Sequence, residues 1–217
     1  MKKIRQYLRQ NRHAYFVLYV PVFIAMFIAL ERLVPSDCDY WASYMPLDDA
    51  IPFVPAFVLP YCMWYPYLIG TGLYLMARDK PRFLDYMRFI VWGFTAAMAF
   101  CLLVPNGQDL RPAAFERDSF FTRLISLIYA ADTNTNVFPS MHVLGCAAAV
   151  SAAFKSPAMP RLRWASLVLA LFICASTVLI KQHSFLDILG ALAFAAPLYI
   201  AVYFVTPGLR EKREKRK

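Results

Sequence analysis

The sequence predicts an all-α, polytopic membrane protein, a six-helix transmembrane bundle that forms one integral-membrane domain across residues 1–217. Three observations predict it. Of the 217 residues 60% are hydrophobic and only 17% are charged, against roughly a quarter charged in an average soluble domain. Apolar runs recur along nearly the whole chain instead of at amphipathic spacing. The lysines and arginines gather in short clusters between those runs.

With about 20 apolar residues as the length that crosses a bilayer, the runs place spans at 14–34, 53–77, 84–104, 140–156, 163–181 and 184–206. The first follows Lys2, Lys3, Arg5, Arg9 and Arg12 as a signal peptide would, but it outruns a cleavable core and further spans follow. It is therefore read as a retained first helix. The fourth is short, and the fifth and sixth nearly abut. Pro21, Pro55, Pro60, Pro66 and Pro197 fall inside spans and predict kinks, because neighbouring helices re-satisfy the carbonyls that proline frees.

Cytoplasmic connections retain lysine and arginine. Eighteen of the 23 lie in the N-terminal tail, in 78–88, in 155–163 and in the C-terminal tail "REKREKRK"; the other five are Arg32, Arg111, Arg117, Arg123 and Lys181. Both termini are thus expected in the cytoplasm, and the longest connection, 105–139, on the outward face. The net charge of +9 is explained by this topology, so the bilayer and not nucleic acid is the expected partner. Composition says nothing about the number of copies. Within the outward connection, "SFFTRLISLIYAADT" (119–133) has apolar residues at helical spacing. Two readings fit it, a helix lying in the membrane interface and a helix packed on the bundle. Four of the five cysteines (Cys38, Cys62, Cys101, Cys146, Cys174) fall in apolar runs without paired spacing, and read as small apolar fillers.

Three polar constellations fall at the outward ends of spans: "PNGQDLRP" (105–112), "NVFPSMHV" (136–143) and "KQHSFLD" (181–187). His183 and Asp187 are four apart, within reach on a helix face, where a carboxylate on one ring nitrogen makes the other a better nucleophile. Ionisable groups inside an apolar segment are costly, which points to function; an interhelical hydrogen bond is the other reading. Ser140 after Pro139 is a helix-capping residue, and the N–H groups of such a start attract phosphate. His142 in that first turn is placed to donate a proton to a leaving group. Arg111 offers a planar fork for phosphate oxygens, and Pro112 a start for a short helix. Lys181 adds a cation, or snorkels at a span end.

Together the constellations resemble the type 2 phosphatidic acid phosphatase superfamily, over roughly residues 84–206. Its second motif, Pro-Ser-x-His, is matched by Pro139, Ser140, Met141 and His142. In its third, Ser176, His183 and Asp187 match while Thr177 stands in place of arginine. In its first, Arg111 and Pro112 match while Val104 replaces lysine. Keeping the histidines and aspartate while the cations vary resembles the branch of sphingomyelin and inositol phosphorylceramide synthases and related bacterial lipid phosphatases.

The resemblance implies a cofactor-free, metal-independent reaction on a membrane lipid phosphate, with the site facing outward from a bacterial cytoplasmic membrane. His183 attacks phosphorus, Asp187 orients it, and His142 protonates the departing oxygen. Arg111, Lys181 and Ser140 hold the phosphate. The phosphoryl group then passes to water, or the headgroup phosphate to an acceptor alcohol; a non-catalytic protein that keeps the fold is the third reading.

Overall fold

The computed structural model describes residues 12–206. The cations of the outermost tails, on which much of the orientation argument rests, lie outside the described residues. The described chain is mostly helical. Helix α1 (Tyr19–Leu33) continues a 3-10 turn at Arg12–Leu18. Short helices α2 (Leu47–Ala50) and α3 (Val58–Cys62) precede α4 (Trp64–Arg78). Then come α5 (Lys80–Leu103), α6 (Phe120–Ala131), α7 (Met141–Lys155), α8 (Leu162–Leu179) and α9 (Phe185–Ile200).

Among the described residues four helical stretches are long and apolar enough to cross a membrane: Tyr15–Leu33, Lys80–Leu103, Leu162–Leu179 and Phe185–Val205. The other two expected spans are helical but do not reach that length unbroken. The stretch 53–77 is divided into a 3-10 turn at Pro55–Phe57, then α3 and α4, with Met63 between the last two. Pro60 and Pro66, one on each side of Met63, remove backbone donors there. Helix α7 has 15 residues, about 22 Å at 1.5 Å per residue, short of the roughly 30 Å hydrocarbon core. Pro197 stays within α9, and the helix loosens just beyond it into a π-helical turn at Ala201–Val205. No helix begins at Pro112; residues 109–119 are irregular.

Helix α7 is the centre of the bundle and packs against α4, α5, α8 and α9. Its sequence explains why: Gly145, Ala148, Ala149, Ala152 and Ala153 are small and buried, so neighbouring backbones approach closely. A Cβ at Gly145 would lie 2.8 Å from Trp64 Nε1, and one at Gly190 would lie 2.2 Å from the Phe138 ring. Both glycines let an aromatic ring reach the end of the bundle that carries the histidines.

Helix α6 packs one side against the bundle. Ser119 caps it in a capping box with Thr122. Ile125 is buried with Val58, Tyr61 and Ile180, whereas Phe120 and Leu127 are exposed. A short parallel ladder joins β1 (Trp41–Ala42) to β2 (Asn106–Gly107) and ties the 41–42 segment to the chain leaving α5.

Candidate active site

Two helix starts bring the histidines together. Ser140 caps α7, its side chain accepting from the Val143 N–H, and its own N–H donates to the Asp187 carbonyl at 3.2 Å. Ser184 caps α9 with Asp187 as the reciprocal acid. His142, in the first turn of α7, and His183, just before α9, face each other edge to face with ring centroids 5.7 Å apart.

His183 Nδ1 lies 3.0 Å from Asp187 Oδ2, and the same oxygen accepts the Ser184 N–H at 3.0 Å. The other carboxylate oxygen accepts a hydrogen bond from Ser43 Oγ. Asp187 is fully buried, so these donors replace the water it gives up. The ring of His183 is thereby oriented with Nε2 left for other chemistry. His142 is packed between Tyr61, at 4.4 Å, and Trp64, at 4.5 Å between centroids. Trp64 Nε1 also donates to the His142 carbonyl at 3.0 Å. His142 Nε2 is buried without a hydrogen-bond partner among the described residues.

Both histidines line a cavity of about 250 Å³ walled by Phe23, Phe27, Tyr61, Trp64 and Tyr65 and by the polar residues Asp132, Thr133, Thr135, Asn136 and Gln182. Asp187 lies behind His183 and does not line it, and neither do the three expected phosphate-binding residues. Ser140 is completely buried behind the helix start. Arg111 donates to the carbonyls of Tyr129, Asp132 and Thr133 at 3.3, 2.9 and 2.7 Å, and its guanidinium stacks on the Tyr129 ring at 4.3 Å. It closes the carboxyl end of α6, where carbonyls lack intrahelical partners. Burial there lowers its pKa from the usual value. Lys181, in left-handed conformation with φ 54°, sends Nζ to the carbonyls of Asp48 and Ile51 at 2.8 and 2.6 Å.

Thr177 bonds its hydroxyl back to the Cys174 carbonyl. Its own carbonyl accepts the N–H groups of Gln182 and His183 at 2.9 and 3.0 Å. It thus shapes the turn that delivers His183.

Several site residues escaped sequence reasoning. Asp48, almost fully buried, accepts from Ser184 Oγ, the Phe185 N–H and the Met45 N–H at 2.6, 2.7 and 2.9 Å. Its contacts anchor the start of α9. Asp132 Oδ2 accepts from Gln182 Nε2 at 3.2 Å and sits 3.5 Å from the Tyr61 hydroxyl. Burial pushes the Asp132 carboxyl up to about 6, with the nearby His183 pulling the other way and Glu31 adding to the rise. The only local signal for Asp132 was its place at the end of an amphipathic helix, which is common for a plain surface carboxylate.

Compared with family models, with curated proteins and with solved structures, the chain finds no match in any of the three.

Proposed function

We propose that the chain is a six-span membrane enzyme, with both termini cytoplasmic, that removes the phosphate of a membrane lipid through a phosphohistidine on His183. One observation carries this reading: an Asp187-oriented histidine faces a second histidine 5.7 Å away across one cavity. The order of the three motifs along the chain supports it too.

In the reaction His183 Nε2 attacks phosphorus as Asp187 holds Nδ1–H. His142 donates a proton to the departing oxygen, and then takes one from the water that cleaves the phosphohistidine. Because Arg111 and Lys181 are engaged with carbonyls, developing negative charge falls instead to the N–H groups at the start of α7. Both aromatic walls of His142 keep water from its ring, which suits a group that must hold or release one proton in a set direction.

Transfer of the phosphate to an acceptor alcohol uses the same steps with an alcohol in place of water. The third reading, a non-catalytic protein, draws on the same engagement of Arg111 and Lys181. Purified full-length protein in micelles of dioleoyl phosphatidate mixed with a long-chain alcohol as acceptor separates the three. Release of free phosphate with an acid-labile label on His183 is expected, and a new phospholipid in place of free phosphate would assign transfer. Wild-type protein without either product, or a His183→Ala variant with unchanged turnover, overturns the proposal.

A further inference from the structure

We propose that the cavity beside the two histidines holds a hydrogen-bond-donating group, a hydroxyl or an ammonium, attached to the phosphate that the histidines engage, and that Asp132 selects it. The phosphate half of this statement rests on the proposed function; the donor half rests on the acceptors described next.

The polar lining of the cavity is rich in acceptors. Gln182, 2% exposed, turns its amide N–H₂ to Asp132 Oδ2 at 3.2 Å and to the Tyr61 hydroxyl at 3.3 Å. Its carbonyl Oε1 is left buried and unpartnered among the described residues. Asn136, 6% exposed, does the same with Glu31, donating to Oε1 at 2.8 Å, and its Oδ1 is likewise buried and unpartnered. Two carboxylates thus fix two amides with their carbonyl oxygens unused. Among the described residues no lysine or arginine lines the cavity.

A buried acceptor without a donor costs about 1–3 kcal/mol. Gln182, Asn136 and Asp132 all line one cavity, and a ligand that brings donors and reaches the two oxygens just beneath its surface relieves that cost. Phosphate is the poorer fit for that part of the ligand, since most of its oxygens are acceptors and the Asp132 carboxylate repels their charge. The phosphate is left to the histidine side, and the donor group to Asp132, Gln182 and Asn136. Tyr61 couples the two: its ring lies against His142 and its hydroxyl against Asp132.

Calorimetric titration of the full chain in nanodiscs tests this with three soluble probes. Methyl phosphate carries no donor beyond the phosphate, glycerol 3-phosphate adds hydroxyls, and phosphoethanolamine adds an ammonium. At least one donor-bearing probe is expected to bind about tenfold more tightly than methyl phosphate, the worth of one charge-assisted hydrogen bond. The probe that gains identifies the group. Asp132→Asn should bring it to within about twofold of methyl phosphate, and Asp132→Glu should restore part of the preference. If Asp132→Asn does not fold, Gln182→Met removes an acceptor from the same group and should weaken the same preference. Equal binding of all probes, no binding of any, or a preference that survives both Asp132→Asn and Gln182→Met overturns the inference. Probe preference without phosphate release from lipid would leave it standing and remove the proposed chemistry; phosphate release without preference would do the reverse.

Discussion

The two ends of helix α7 solve opposite problems. At its carboxyl end the charges are neutralised locally. Asp85 lies between Arg82, at 2.9 Å, and Arg88, at 2.8 Å, and Asp79 accepts from Ser156 Oγ at 2.6 Å while capping α5. At its amino end, about 21 Å away along the axis at 1.5 Å per residue, the cations are spent on backbone carbonyls and the carboxylates on amides and hydroxyls. His142 Nε2, Gln182 Oε1 and Asn136 Oδ1 remain without partners there among the described residues. Among the described residues buried unpartnered atoms occur at both ends, Arg163 Nε and the Tyr203 hydroxyl at the carboxyl end as well; what sets the amino end apart is that His142, Gln182 and Asn136 all line one cavity.

The largest expected effect breaks the amino end outright. His183→Ala abolishes turnover of a lipid phosphate and His142→Ala nearly does. Asp187→Asn lowers turnover by roughly 10²–10⁴-fold, since the ring loses its orientation and tautomer. Phosphate release from phosphatidate micelles measures all three.

Asp48→Ala comes next. It strips three hydrogen bonds from a buried carboxylate that anchors the start of α9, and should cost about 2–4 kcal/mol. Thermal unfolding in detergent reads that loss. Asp85→Asn sharpens the comparison from the other end: it should cost about 1–2 kcal/mol of stability while phosphate release stays at the wild-type rate.

A further effect is on pH dependence. Asp132 has its pKa raised from the ordinary 3.8 to about 6 in the folded protein, so between those values the folded state binds more protons than the unfolded one. Its contribution therefore favours the folded state below pH 3.8 and is lost as pH rises towards 6. Asp132→Asn should flatten stability against pH in that window, measured by thermal unfolding at successive pH values. An unchanged slope would show that the carboxyl titrates as an exposed one.

Much of this was legible in the chain. The runs that became Tyr15–Leu33, Lys80–Leu103, Leu162–Leu179 and Phe185–Val205 announced themselves by length and hydropathy, since a helix satisfies its own backbone whatever surrounds it. Ser140 is the helix cap that its place after Pro139 predicts, because capping acts over three residues and local sequence encodes it. The His183–Asp187 contact is local in the same way, at a separation of four.

Residue type and position alone determined that this chain is built of apolar helices and that two histidines and an aspartate sit at helix starts. Only the tertiary structure decided what the cations do and what completes the site. Arg111 reaches carbonyls 18 to 22 residues away, and Lys181 reaches carbonyls 133 and 130 residues away. Ser43 meets Asp187 across 144 residues, and Asp48 meets Ser184 across 136. Contacts at such separations depend on how the helices pack, and packing around the small residues of α7 leaves no period in the sequence to read.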